Sequence, residues 1–385
     1  MDKLKDITVA HITSAHTCED VRIFHREARL LSAGSVREVI LLAPDATDST
    51  KDGVRFVRYG NGLPRTRKER IGTARDATAA LEKLNPDIVH FHDPELLMSV
   101  PDYARRRGIP AIYDVHENYR STLAENTGGL RGAIASKLYC LYERIKMRKI
   151  SGIVTVTRQI AEKYEPYGKP VVLLRNFPDI ERILDLVPEV GRVEKKNSLV
   201  YSGSLEQKSL FLLADACLAL KKKHAGLKVH FFGDFRTPEK RESLLGHWEK
   251  RGASDLLAWH PKQERNEFIR GLGGFSAGLV LFWPSTNVRV GLPNKLFEYM
   301  AAGLPVIVPD CPNHRETVEK HRCGVTCDTT DAESIAGAID RILSDPESSR
   351  EMGSRGRSAC ISDYNMKTDF PNLLDIYRRV TGCPV

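Results

Sequence analysis

From one end of the chain to the other, short apolar runs alternate with segments of helical spacing, and that rhythm restricts the fold more than any single motif. In the first half the runs are Ile7–Thr13, Glu38–Leu42, Val54–Tyr59, Asp87–Phe91, Ala111–Val115, Gly152–Val156 and Val171–Leu174. In the second they are Leu199–Ser202, Leu227–Phe232, Ala258–His260, Gly278–Phe282, Val306–Val308 and Gly324–Thr326. Runs this short and this apolar, separated by helix-length stretches, predict parallel sheets with helices on both faces. The chain's 385 residues exceed one ordinary core. Between Asp179 and Asn197, charged residues crowd around Pro188 and Gly191 with no strand among them, which reads as a linker. The expected class is therefore α/β, with two Rossmann-like domains facing each other across a cleft. Residues 1–185 and 195–362 form the two, and the C-terminal segment 363–385 rejoins the first.

In open parallel sheets, ligands bind beyond the C-terminal strand ends, where the strand order reverses. The residues to weigh are those at such ends: His16 to Asp20, His92 to Glu95, His116 to Asn118, Tyr201 to Ser204, and Gly233 with Asp234. The segment Leu292 to Asp310 adds a loop, a short helix starting near Asn294 as N-cap, a stop at Gly303 and a buried strand. A helix start offers free N–H groups and a positive dipole end to a phosphate, and Lys295 adds a cation there. Glu298, one turn further in, suits a sugar diol. The plainer alternative is a surface pair of Lys295 and Glu298 on an ordinary helix.

Composition narrows the partners. No apolar run reaches the length of a bilayer span, and the N-terminus leads straight into a strand, so a cytoplasmic location is expected. The eight cysteines are scattered, and Cys323 and Cys327 lack a second Cys or His pair at zinc spacing. A net charge of +8 suits nucleic acid, anionic lipid or anionic small molecules. Nucleic acid has no signature to support it. Between Leu130 and Ile150, Leu130, Ile134, Leu138, Leu141 and Ile145 fall at near-helical spacing among Arg131, Lys137, Arg144, Lys146, Arg148 and Lys149. That pattern fits either a peripheral face on anionic lipid or a domain helix with a solvated basic side. A second basic cluster spans Arg65 to Arg70. The chain carries no glycine-rich dinucleotide fingerprint, no Walker sequence and no Asp-x-Asp pair.

The segments HITSAHTCEDVRIF from His11, DIVHFHDPELL from Asp87, YDVHENY from Tyr113, RNFP from Arg175 and PNKLFEYM from Pro293 resemble, in that order, family 4 glycosyltransferases. The resemblance implies a GT-B fold, an acceptor site in the N-terminal domain and a nucleotide-diphospho-sugar in the C-terminal one. It also implies metal-independent transfer with retention of configuration, no cofactor, and a last helix, about Asp363 to Val380, that returns to the N-terminal domain. By the same resemblance Glu298 binds the donor ribose, and Leu292, Pro293, Asn294 and Lys295 lie under the diphosphate. His116 lies beside the transferred sugar, Lys208 neutralises the leaving group, and Gly203 with Ser204 opens that strand end. The first loop, His16 to Asp20, meets donor and acceptor. Asp93 and Glu95 either cap the segment after them or touch the acceptor.

Three positions depart from the family pattern. Val290 stands where a second glutamate is often found, with Arg289 and Asn287 as nearby substitutes. Ser204 replaces an arginine, and Thr17–Cys18–Glu19 replaces paired glycines in the first loop. The expected chemistry is same-face attack by an acceptor hydroxyl whose proton passes to the departing phosphate, with Lys208, Lys295 and helix N–H groups stabilising the leaving oxygens. The acceptor expected is a glycan or lipid-linked molecule of surface polysaccharide or glycolipid synthesis. The rival readings are a nucleotide-sugar epimerase of the same architecture and a non-catalytic sugar-nucleotide-binding protein.

Overall fold

The computed structural model describes residues 3–127, 129–188 and 196–382. The chain divides into two compact units, Met1–Asn176 with Met366–Val385, and Phe177–Asn365. The first is built on β1 (Thr8–Ile12), β2 (Glu38–Ala43), β3 (Ser49–Lys51), β4 (Val54–Arg58), β5 (Ile88–Phe91), β6 (Ala111–Val115), β7 (Gly152–Thr155) and β8 (Val171–Leu173). Their order is β3-β4-β2-β1-β5-β6-β7-β8, so the winding reverses between β1 and β5. All neighbours pair in parallel except β3, which runs antiparallel to β4. Strand β3 had no counterpart among the apolar runs because all three of its residues are polar and exposed. Every expected strand is present.

The second unit carries β9 (Ser198–Ser202), β10 (Lys228–Phe232), β11 (Leu257–His260), β12 (Ala277–Leu279), β13 (Val306–Pro309) and β14 (Gly324–Cys327), all parallel. Their order, β11-β10-β9-β12-β13-β14, reverses between β9 and β12. Apolar clusters cover this sheet, one with Tyr201, Phe231 and Trp248, another with Phe297, Tyr299 and Met300.

The domain boundary lies earlier than the charged stretch implied. A helix, Ile180–Leu186, occupies the start of that stretch, and its Ile180 and Ile183, with Phe177 and Val187, are buried in the second unit's core. The first unit thus ends at Asn176 rather than 185, and residues 189–195 of the expected linker lie outside the described residues. At the other end, the helix Met366–Thr381 belongs to the first unit, where Leu373, Ile376 and Tyr377 are fully buried. Gly152 makes room for it: a Cβ there would stand 2.8 Å from Ile376 Cδ1. Asp369 holds the same helix to Arg175 through both carboxylate oxygens. Among the described residues no helix is long and apolar enough to cross a membrane.

Candidate active site

In the first unit the reversal point falls between β1 and β5, and the residues just past β1, β5 and β6 gather there. Asp93, after β5, is fully buried and accepts hydrogen bonds from Thr13 Oγ1 at 2.7 Å and Ser14 N at 2.6 Å. Its other oxygen lies 3.1 Å from His16 Nδ1. Burial opposes a charged imidazole, but the hydrogen bond and charge of Asp93 lift His16 to about 9. Asp93 therefore fixes the first loop; its side chain does not cap the segment after it, and it lines the cavity over this group. Glu95 is buried and pairs with Arg70 at 3.1 Å. Asp20 accepts the backbone N–H groups of Arg22 and Ile23, and so opens the helical turn that starts there.

His116 directly follows β6 and is half-buried. Its Nε2 lies 2.9 Å from Asp114 Oδ2, and its ring lies 5.3 Å from that of His16. Asp114 is in turn gripped by Arg22, Nε to one oxygen and Nη2 to the other, both at 2.8 Å. Burial would raise the Asp114 carboxyl, but Arg22 and then His116 hold it well below the usual range. Arg22 also lies 3.1 Å from Glu27, whose carboxyl burial and the neighbouring Asp114 push well up. One guanidinium between two buried carboxyls thus keeps one of them ionised. Behind this pair His11, His90 and His92 are fully buried, with His11 Nδ1 3.0 Å from His92 Nε2 and His90 Nδ1 2.9 Å from the Tyr377 hydroxyl. A cavity of about 570 Å³ opens over the group, lined by His16, Arg65, Arg70, Glu95 and His116.

Arg22 and Asp114 carried no role in the sequence reading. Asp114 was legible in principle, since residues two apart on a strand end share a face with each other, here with His116. Arg22 was not, being 92 residues from its partner.

In the second unit the reversal point lies between β9 and β12. Past β9, Gly203 adopts φ +108°, and a Cβ there would lie 3.2 Å from Lys295 Nζ. Lys295 is buried, its ammonium 4.0 Å from the centre of the Tyr201 ring and 4.7 Å from that of Phe282. Burial lowers it to about 7, against a smaller upward pull from Glu298. Glu298 is itself buried, and its Oε1 meets Arg265 at 2.8 Å. The reading of Lys295 and Glu298 as a surface pair is therefore excluded. The helix runs Asn294–Ala301, and its N-cap is Pro293, in extended conformation; Asn294 is the first helical residue, not the cap. Tyr299, on the same helix, accepts the Ser202 N–H at 2.8 Å and ties the helix to the end of β9.

The remaining expected residues sit nearer the surface. Lys208 is exposed just before the helix Ser209–Leu220, its ammonium 5.4 Å from the Trp283 ring. Ser204 is exposed, and its carbonyl takes the Tyr201 hydroxyl at 2.9 Å. Arg289 and Val290 lie on a short helix, Thr286–Val290; Arg289 is exposed, and the Val290 carbonyl accepts from Asn313. Leu292 is half-buried and packs against the second unit's core.

The sequence pattern of Glycosyltransferase Family 4 matches residues 11–182, and that of Glycosyl transferases group 1 matches residues 185–359. The chain belongs to glycosyltransferase family 4. Among proteins similar in sequence is a glycogen synthase of Mycobacterium tuberculosis, 22% identical over 299 residues, covering 76% of this chain and 68% of the relative. In structure the family 4 chain is similar to sucrose-phosphate synthase from Thermosynechococcus elongatus, with TM-score 0.76 and 14% identity over 98% of this chain and 100% of the other. It is also similar to Anabaena Alr3699/HepE in complex with UDP-glucose, with TM-score 0.69 and 11% identity over 98% and 100% of the two chains. The fold is GT-B, and the protein is a glycosyltransferase.

Proposed function

We propose that the protein is a retaining, metal-independent transferase that moves a sugar from a nucleotide-diphospho-sugar to a hydroxyl of a glycan or lipid-linked acceptor. The observation that carries this is Lys295: a buried amine, boxed by Tyr201 and Phe282 under a glycine strand end, at the mouth of a helix. A cation held in so apolar a place gains most from an anion brought to it, and the helix start supplies N–H groups beside it. The UDP-glucose in the similar Anabaena protein supports a nucleotide sugar as that anion.

In this reading the second unit holds the donor. Lys295 and the segment Leu292 to Asn294 meet the diphosphate, with exposed Lys208 as a second cation and Gly203 and Ser204 giving close backbone approach. Glu298, held in place by Arg265, takes the ribose. Arg289 lies outside this buried set and serves at most the outer phosphate or sugar. The first unit holds the acceptor. His116 touches the transferred sugar and polarises it, while charged His16 faces the leaving phosphate or an anionic acceptor group. The developing charge on the diphosphate is met by these cations and N–H dipoles, which leaves no step that requires a metal. The exposed apolar stripe of the helix Gly129–Met147, with Arg131, Lys137 and Arg144 exposed beside it, lies on anionic lipid at the inner membrane face.

A thermal-shift screen of the full chain against UDP, GDP, ADP and their common sugars tests the donor half. One nucleotide sugar is expected to raise the unfolding temperature with EDTA present, and Lys295→Met to remove the shift. A flat screen, or a shift that needs added metal, overturns the reading. His116→Ala is expected to lower turnover far more than donor affinity; equal losses would count against its assigned contact.

A further inference from the structure

Beside the polar cavity of the first unit runs a second, apolar one of about 590 Å³, which no part of the donor chemistry uses. Its walls are Ile71, Met98, Leu123, Ala135, Leu138 and Tyr142, drawn from the helices Arg67–Leu84, Tyr119–Thr127 and Gly129–Met147 and the turn Pro94–Met98. Pro94, Glu95, Tyr119, Leu123 and Thr127 line both cavities, so the two adjoin. At the polar end stand His16, Arg65, Arg70 and His116, with Asp93, Glu95 and Glu117 among them and Asp93 and Glu95 paired to His16 and Arg70. At the other end Leu138 is 63% exposed and continues outward into Leu130, Ile134, Leu141 and Ile145, each at least half exposed. Five large apolar side chains on one face of one helix exceed the scattered exposure of an ordinary surface. Within the groove the Tyr142 hydroxyl is buried and makes no hydrogen bond.

We propose that this groove binds the hydrocarbon chain of the acceptor, and that the acceptor is a lipid phosphate carrying a single alkyl or isoprenoid chain. The proposal rests on the transferase reading above and narrows its acceptor to a lipid-linked one. The polarity gradient fits such an amphiphile end to end: basic side chains at the reacting end, apolar walls along the groove, and an apolar helix face where the chain would leave the membrane. A peptide would bring a donor and an acceptor at every residue, more than the few polar groups of these walls, such as the Tyr139 and Tyr142 hydroxyls, could satisfy. A free glycan would leave the apolar surface uncovered.

Titration of the full-length protein with butyl, octyl and dodecyl phosphate, each below its micelle concentration, tests this without any donor. Affinity is expected to rise about fourfold per added methylene until the groove is full. Ala135→Trp, which fills the groove, should abolish the dependence on chain length while leaving butyl phosphate binding and the unfolding temperature unchanged. Should Ala135→Trp fail to fold, Leu138→Asn is expected to flatten the same dependence. Arg65→Gln should weaken all three phosphates by the same factor. Leu141→Gln, outside the groove, should reduce binding to anionic vesicles and leave dodecyl phosphate binding intact. Affinity independent of chain length, insensitivity to both groove variants, or equal affinity for dodecyl glucoside and dodecyl phosphate would overturn the proposal. Chain-dependent binding alongside a flat nucleotide-sugar screen would sink the donor reading and leave the groove standing; the reverse pair of results would do the opposite.

Discussion

The strand ends of the first unit hold their buried charges already paired, whereas those of the second hold one in waiting. Around His116 the buried charges are matched with one another: Arg22 grips Asp114, Asp93 grips His16, and Arg70 grips Glu95. Lys295 is buried just as deeply but lies against two aromatic rings, and the carboxylate on its own helix is taken by Arg265. A paired cluster stabilises the empty protein and fixes geometry. An unpaired buried cation destabilises the empty protein and rewards an arriving anion. The two halves of the proposed reaction are thus prepared in opposite senses, one for position and the other for affinity.

The sharpest way to break this contrast is to remove one charge from each side and compare the signs. Asp114→Asn leaves Arg22 buried without its main partner and should cost about 3–5 kcal/mol in urea unfolding. A loss under about 1 kcal/mol would show that the cluster is not the fixed framework described. Lys295→Met should instead stabilise the ligand-free protein by about 2–4 kcal/mol near neutral pH. The size of that gain depends on pH in a defined direction. Between about 7 and the ordinary lysine value of 10.5, the unfolded chain holds a proton that folded Lys295 has given up, so wild-type stability rises across that window. Below about 7 both states are protonated and the penalty is complete. The gap between Lys295→Met and wild type should therefore be widest at pH 6 and close as pH approaches 10. A gap that widens with pH would contradict the buried-amine assignment.

Smaller substitutions sharpen the same comparison. Glu298→Ala should weaken binding of the correct donor by about 1.5–3 kcal/mol, the scale of a charged hydrogen bond, and calorimetry showing unchanged affinity would end its ribose role. Gly203→Ala should cost about 1–2 kcal/mol, since φ +108° disfavours a side chain and the new methyl would press on Lys295 Nζ. In the Lys295→Met background that cost should shrink, because part of it comes from the contact itself. Full additivity would place the strain in the backbone alone.

Most of the strand framework was legible because a parallel strand buried on both faces must be apolar along its whole length. Strand β3 escaped for the converse reason, as an exposed edge of Ser49, Thr50 and Lys51. The helix Ile180–Leu186 was hidden by Glu181, Arg182 and Asp185 on its outer side, although Ile180, Ile183 and Val187 keep helical spacing toward the core. At the candidate site, residues at strand ends could be named because chain position alone puts them there. Their partners could not: Arg265 is 33 residues from Glu298, and only folding brings them together. Asn294 was misjudged as a cap by its intrinsic preference alone: Pro293, extended, holds that position, and the helix starts one residue earlier than the sequence suggested.

The C-terminal helix has a consequence for the order of events during synthesis. The first unit's core includes Leu373, Ile376 and Tyr377, and His90 reaches Tyr377 across 287 residues of sequence. A ribosome that has finished Asn176 has still to make the whole second unit, about 190 residues and roughly 10–40 s of elongation, before that helix emerges. The domain begun first is therefore the domain completed last. Until that helix is made, the finished eight-stranded sheet lacks the segment that covers Gly152, and a truncation before Met366 would leave it in that state permanently.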